Sequence, residues 1–271
     1  MPASRSPSRG VELKRPARTR WPLILGLLVG LLVLATGVLF VLPASMARAF
    51  LPQQVRAEDF SGSFLHGAAG KFSVNARDAG AIEWQIHPLS LLRLAVVADV
   101  HWVKVGFVID ATAEIDREGL EARNIKGGGP IENLRDIGLA AGWRGNANLS
   151  FADIKSDFSR LLAAEGRLEV TDLSSTDIGD GSNLGGYVLL LAPGAIAADG
   201  TITASLNDSG GPLEIQAQIK FLPATRTGML SGTLKERADV PPALRAQLDR
   251  LAQLQRRDGS GRLPLELEFT F

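Results

Sequence analysis

The chain has 271 residues, which is long enough for one large domain or two small ones with a real core. It contains no cysteine, so disulfides, thiolate metal sites and cysteine nucleophiles are excluded. The formal net charge is zero, but the first 20 residues hold six basic residues against one acidic residue. The remainder keeps 23 of the 29 basic and 28 of the 29 acidic residues, and this mildly acidic body argues against a nucleic-acid partner.

A basic tail, residues 1–20, precedes an uncharged apolar segment, residues 21–42. As a helix, that segment would be about 33 Å long, enough to span a bilayer once. The apolar core of a cleavable signal peptide has only about 7 to 15 residues, so we predict an uncleaved transmembrane signal anchor, with cleavage near Ala47 to Ala49 left open. The cations before the span predict a cytoplasmic N-terminus, with the bulk of the chain across the membrane.

Beyond the span we expect a juxtamembrane linker, residues 43–58, and a β-rich domain on the far side of the membrane, residues 59–271. Apolar and polar residues alternate in many runs of this domain, as in half-buried strands. Glycine, aspartate and asparagine separate the runs, as turns between antiparallel strands require. The predicted fold is mainly β, with an elongated or curved, largely antiparallel sheet and one or two short helices.

Helical spacing of apolar residues is rare. After Pro241-Pro242, leucines recur at intervals of four, three and three residues, at Leu244, Leu248, Leu251 and Leu254. We expect this helix to pack on the sheet rather than to bind a partner. A weaker helix candidate runs from Asp153 to Ala164, with Ile154, Phe158, Leu161 and Leu162 on one side.

Several phrases occur in an order that points to one family. They are "FSGSFLHGAAG" at 60–70, "IEWQIHPLSLL" at 82–92, "DSGGPLEIQAQIKFLP" at 208–223 and the final segment from Ala243. Together with the N-terminal span they resemble type II secretion system protein N, also called general secretion pathway protein N, a family with AsmA-like relatives. The likeness covers most of residues 21–271, although residues 115–143 match no phrase.

The resemblance implies an accessory inner-membrane component of the type II secretion pathway. Such a protein has a short cytoplasmic N-terminus, a single span and a periplasmic β-rich domain, and it meets other secretion components in the periplasm. The family has no assigned catalytic residues, so the resemblance implies no enzyme activity. An alternative function is AsmA-like lipid binding or lipid transport.

The segment Asp208-Ser209-Gly210-Gly211-Pro212 is similar to the nucleophile loop of a serine protease. His66, Asp110 and Ser209 follow one another in the order of a chymotrypsin-like triad. However, His66 lies in a Gly/Ala-rich stretch that we interpret as a turn, and the loop is followed by regular alternation. We therefore interpret residues 207–212 as a hairpin turn between two strands.

No other pattern predicts a catalytic, cofactor-binding or metal site. Three scattered histidines without cysteine give no metal-ligand spacing. The "KGGGP" segment at 126–130 lacks the order of a phosphate-binding loop, and we interpret it as a flexible turn. Trp84 shares a strand face with Ile82 and Ile86, which predicts a core residue.

Overall fold

The structure, a computed structural model, describes Gly37 and residues 42–51, 55–137, 141–254 and 257–270. The chain forms two compact units, Met1–Leu39 and Phe40–Phe271, and every element given below belongs to the second. The predicted anchor at 21–42 lies outside the described residues, except for Gly37 and Leu42. In the part of the chain that is described, no helix combines the length and the apolar character needed to cross a bilayer.

One open antiparallel sheet dominates the described residues. Its thirteen strands follow one another in the sheet in their order along the chain, each paired with the next. This confirms the predicted mainly β, antiparallel architecture. The strands are β1 Val55–Gly62, β2 His66–Val74, β3 Arg77–Ile86, β4 Val96–Lys104, β5 Phe107–Ile115, β6 Leu120–Pro130, β7 Trp143–Ser156, β8 Leu161–Ser175, β9 Asn183–Leu191, β10 Ile202–Gly210, β11 Leu213–Leu222, β12 Thr227–Glu236 and β13 Leu263–Thr270.

The helices are short and lie in the connections between strands, except for one that precedes β1. The α-helix α1, Pro242–Leu254, joins β12 to β13 and confirms the helix predicted after Pro241. It begins with a proline, whose missing N–H costs nothing in the first turn of a helix. Short 3-10 helices occur at Ala44–Phe50, Pro88–Arg93, Ile131–Ile137 and Gly179–Gly181.

The best-buried core lies beneath α1. Leu244 and Leu248 of α1 are 2% and 4% exposed. They pack with buried leucines from four strands, at Leu184, Leu213, Leu234 and Leu263. The helix therefore supplies a second layer over one part of the sheet, as the predicted amphipathic pattern required.

The second helix prediction, from Asp153 to Ala164, is wrong. β7 continues to Ser156, and β8 begins at Leu161. Between them Asp157 accepts hydrogen bonds from the backbone N–H groups of Ser159 and Arg160, which closes a tight turn. The apolar spacing came from two strand ends and the exposed turn residue Phe158, and it only imitated a helical period.

Two predicted turns are also wrong. The "KGGGP" segment belongs to β6, where a side chain on Gly127 would collide with the backbone of Val108 and Ile109 in β5. Glycine is used there because neighbouring strands approach closely, not because the chain turns. His66, placed by its glycine and alanine neighbours in a turn, instead opens β2.

Candidate functional site

One row of paired residues crosses the whole sheet without a polar side chain. The row takes one residue from each strand, and each member pairs with the next. Because side chains alternate between faces along a strand, these residues share one face of the sheet. In strand order they are Phe60, Ala69, Ile82, Trp102, Ile109, Gly127, Leu149, Leu168, Leu189, Leu206, Ala217, Gly232 and Leu265.

This apolar row is only partly covered. Ala69 and Ala217 are buried, whereas the other eleven members keep an intermediate exposure. A sheet normally buries its apolar face completely against a second layer of structure. The described elements leave this layer incomplete, so the apolar face is the main candidate for contact with a ligand or partner.

The neighbouring row of pairs points to the opposite face and has the opposite character. It runs through Ser61, Ala68, Glu83, His101, Asp110, Lys126, Ser150, Arg167, Leu190, Ser205, Gln218, Ser231 and Glu266. All but Ala68 and Leu190 are polar. The sheet therefore has one apolar and one hydrated face along its whole width.

Two histidine–aspartate pairs lie on the polar face. The Nε2 atom of His87 is 2.8 Å from Asp99, and the Nδ1 atom of His101 is 2.6 Å from Asp110. Hydrogen bonds from His87 and Thr112 hold the pKa of Asp99 below its ordinary value. All four histidine and aspartate side chains are more than 40% exposed, so they form hydrated surface pairs.

A charged network on the same face joins β5, β6 and β7. Arg123 donates to Glu121 over 2.6 Å and to Glu114 over 2.8 Å, and Lys155 lies 3.3 Å from Glu121. The hydrogen bond from Arg123, aided by Lys155, lowers the pKa of Glu121 to about 2. The network links adjacent strands through their side chains, as cross-strand charge pairs do.

The structure does not assemble a catalytic triad from His66, Asp110 and Ser209. His66 and Asp110 line one shallow recess of about 660 Å³, in which Asp110 pairs with His101. Ser209 lies in β10, eight strands along the sheet from β2, and lines a different recess. The nucleophile–base contact that defines a triad is therefore missing among these residues.

The aspartate of the "DSGGP" segment has a structural role. One carboxylate oxygen of Asp208 accepts a hydrogen bond from the backbone N–H of Ile215 over 3.1 Å, and the other accepts from Arg237 over 2.6 Å. Arg237 also donates to the backbone oxygen of Gly211 over 2.8 Å. These bonds fix the predicted connection between β10 and β11, although β10 itself extends to Gly210.

Trp84, the remaining candidate from the sequence, has a structural role. Trp84 is half-buried on the apolar face, where its Nε1 donates to the backbone oxygen of Phe64 over 2.9 Å and its ring meets the edge of Phe60. Within the described ranges, no group of three or more His, Cys, Asp or Glu side chains is placed to hold a metal ion.

Sequence reasoning found the alternation of individual strands but missed the continuous apolar row, because a row depends on the register between strands.

The outer edge of β13 is the second candidate contact surface. In the β11–β12 ladder, the backbone N–H of Arg237 donates to the oxygen of Pro212 over 2.9 Å. The pair Gln216–Thr233 lies four residues farther along the same register, so it also exchanges backbone hydrogen bonds. Thr233 therefore directs its backbone groups toward β11.

Pairing then fixes the orientation of β13. Thr233 stands opposite Pro264, and the backbone groups of both residues point away from each other. The ring nitrogen of Pro264 thus faces the free edge, which is where a strand tolerates proline. The same alternation directs the backbone N–H groups of Glu266, Glu268 and Thr270 outward.

Comparison with known proteins identifies one family. The family model for type II secretion system (T2SS), protein N, matches residues 53–266. The match includes residues 115–143, which contain none of the phrases that resemble the family. The comparisons find no match among curated proteins and none among solved structures.

Proposed function

Because the chain belongs to the type II secretion system protein N family, we propose that it is an accessory inner-membrane component that supports export across the outer membrane through non-enzymatic periplasmic contacts. The family implies a role in type II secretion and a place in the cell envelope, and it is not known as an enzyme family. The partners in this proposal are other type II secretion components, reached while the N-terminal span holds the chain in the inner membrane.

The proposed contact mechanism rests on the unpaired outer edge of β13. No strand of the described residues pairs with it, and three of its N–H groups face outward as donors for an added strand. The other edge, β1, is less open, because Pro43 bridges to Ser63 and the 3-10 helix Ala44–Phe50 packs beside it. We therefore assign strand addition to β13.

The charges of β13 restrict the kind of partner strand that can pair with its free edge. Glu266 and Glu268 are exposed and form no ion pair with any described residue. Pro264 and the two carboxylates oppose pairing with flat apolar strands, which is how edge strands avoid aggregation. They favour an extended partner segment that alternates basic and apolar residues.

The variant Glu268→Pro tests this mechanism at a single backbone group. It removes an outward N–H but no bond to β12, so the sheet should remain intact. Losing one hydrogen bond to a partner strand should weaken binding about fivefold to tenfold. Exoprotein secretion should fall, while circular dichroism and the melting temperature of the purified full-length chain stay close to those of the wild type.

The matched control is Glu268→Gln, which keeps the N–H and removes only the charge. It should keep more secretion than Glu268→Pro if main-chain pairing dominates. Normal secretion in Glu268→Pro would reject the edge mechanism but not the proposed role in secretion. Normal secretion after deletion of residues 44–271, with no secretion component co-purifying with the full-length chain, would reject the proposed function itself.

The apolar row supports a second candidate function, lipid binding or lipid transport of the AsmA-like kind. A half-covered apolar face that crosses every strand offers acyl chains an environment without polar side chains. The test is mass spectrometry of lipids retained after gentle extraction of the full-length chain. The variant Leu267→Glu places a charge on the apolar face and should retain less lipid, whereas Ser231→Glu on the polar face should retain the wild-type amount.

Equal lipid recovery from both variants would contradict this second function. Loss of lipid from Leu267→Glu with normal secretion would separate the two functions, because lipid binding would then be dispensable for export.

A further inference from the structure

We infer that one end of the sheet rests on a lipid bilayer through exposed apolar side chains, which we call the apolar rim. The side chains of Leu89, Leu92 and Leu94 in the connection between β3 and β4 are 76%, 62% and 67% exposed, and Phe158 between β7 and β8 is 64% exposed. Ile115 and Leu120, on either side of the β5–β6 turn, complete the rim at 45% and 38%. Exposed apolar side chains on this scale mark a contact surface.

Strand pairing makes the rim continuous along the end of the sheet. Val96, the first residue of β4, pairs with Ile115, and Ile115 pairs with Leu120. Leu120 pairs in turn with Ser156, the last residue of β7 before the turn that carries Phe158. The three connections therefore lie side by side at one end of the sheet, and their exposed apolar residues are neighbours there.

The start of the sheet domain lies at the same end. The backbone N–H of Phe64, between β1 and β2, donates to the oxygen of Leu42 over 2.8 Å, and Pro43 bridges to Ser63. Because β2 begins where β3 ends, this turn and the β3–β4 connection share one end of the sheet. Leu42 is also the last residue of the predicted membrane span, so the bilayer lies within reach of the rim. The inference rests on that predicted anchor.

The charges of the rim fit an interfacial position. Each of its three connections contains an arginine, at Arg93, Arg117 and Arg160, a residue type that suits the headgroup level when apolar neighbours enter a membrane. Arg160 also pairs with Asp157 of its own turn over 3.1 Å. The carboxylates of Asp116 and Asp157 are occupied by N–H groups of their own turns. These two carboxylates stay charged and, with Glu118, balance the three arginines. Apolar insertion rather than attraction to anionic lipid therefore drives the contact.

The absence of cysteine gives a direct test, because a single introduced cysteine is the only labelling site. The full-length chain is placed in phosphatidylcholine nanodiscs with an environment-sensitive fluorophore at Leu92→Cys. The matched control is Val105→Cys, which is 71% exposed at the other end of β4. Lipids with a spin label near the headgroup report on a depth of about 5 to 10 Å, and they should quench position 92 at least threefold more than position 105, with a blue-shifted emission.

Each other outcome overturns the inference. Equal weak quenching at both positions, in chains that co-elute with nanodiscs, would leave the anchor intact and reject rim contact. Equal strong quenching would show indiscriminate adsorption. A blue shift at position 92 without quenching would assign the rim to protein contact, and failure to enter nanodiscs would remove the anchor. Secretion by Leu92→Gln, measured separately, keeps these results distinct from the test of the secretion role.

Discussion

Strands β11, β12 and β13 carry apolar side chains at both ends, yet the described residues cover only one end. At the covered end, Leu213, Leu234 and Leu263 are 4% to 8% exposed beneath α1. At the open end, Leu267 and Phe269 of the same face are 56% and 37% exposed. The side chains are of one kind, so the difference lies in what packs on them.

The contrast separates a stabilising end from an exposed end within one face. Apolar area stabilises a fold only when it is removed from water. The α1 end therefore contributes more to the free energy of unfolding than the open end does. The open end adds little to the stability of the isolated chain, because its apolar area stays in contact with water. Perturbing the two ends should therefore have unequal effects on unfolding.

The largest effect is expected for Leu248→Ala in α1. Alanine keeps the helix propensity, so the loss reports packing, and a leucine 4% exposed should cost about 2 to 4 kcal/mol of unfolding free energy. The same change at Leu267 should cost less than about 1 kcal/mol. Urea unfolding of the full-length chain, followed by circular dichroism, measures both. Equal losses would show that the open end is covered in solution.

A smaller loss is expected for Arg237→Gln at the border of the covered end. The Asp208 side chain is 10% exposed, and the variant removes its cation, which should cost about 2 kcal/mol. Lys71→Gln is the control, because Lys71 and Asp59 are 71% and 60% exposed and their pair should contribute less than about 0.5 kcal/mol. Thermal unfolding compares the two.

A double variant sharpens this result. Replacing Asp208 by Asn in the Arg237→Gln background removes the unpaired carboxylate and should restore part of the loss. A double variant as unstable as the sum of two single variants would contradict a direct interaction between the two side chains.

The sequence predicted the sheet well because alternation is a local signal. The strand from Leu213 and the helix from Pro242 follow from residue spacing and turn residues alone. The Asp153–Ala164 prediction failed because a hairpin placed Ile154 and Phe158 at helical spacing. The turn predicted near Gly127 was wrong because these glycines make room for the backbone of a neighbouring strand. Local sequence does not show which strand lies beside them.

The candidate surfaces were less predictable than the strands. The apolar row joins residues such as Trp102 and Leu168 that are far apart in sequence, and their alignment depends on the bulges and registers of the intervening strands. The outward direction of the N–H groups of β13 depends in the same way on the register of the β11–β12 ladder. Sequence reasoning reached the chemistry of each strand but not its placement.

The smallest effect concerns the polar face, which neither end of the apolar face should influence. The pKa of Glu121 is lowered to about 2 by Arg123, against about 4.3 in an unfolded chain. A lowered pKa means that the stabilisation is present above the unfolded value and is lost as the pH falls toward 2. Arg123 and Lys155 are each 46% exposed, so solvent screening limits the contribution to about 1 kcal/mol.

Glu121→Gln tests this contribution through its pH dependence. Wild type should exceed the variant in unfolding free energy by about 1 kcal/mol at pH 6, and the difference should disappear near pH 2 and shrink in 1 M salt. Glu266→Gln, on the same face but without an ion pair to any described residue, should change the unfolding free energy little at pH 6. A difference for Glu121→Gln that persists undiminished at pH 2 would mean that the side chain contributes by packing, because about half of the carboxylates are protonated at a pH equal to their pKa.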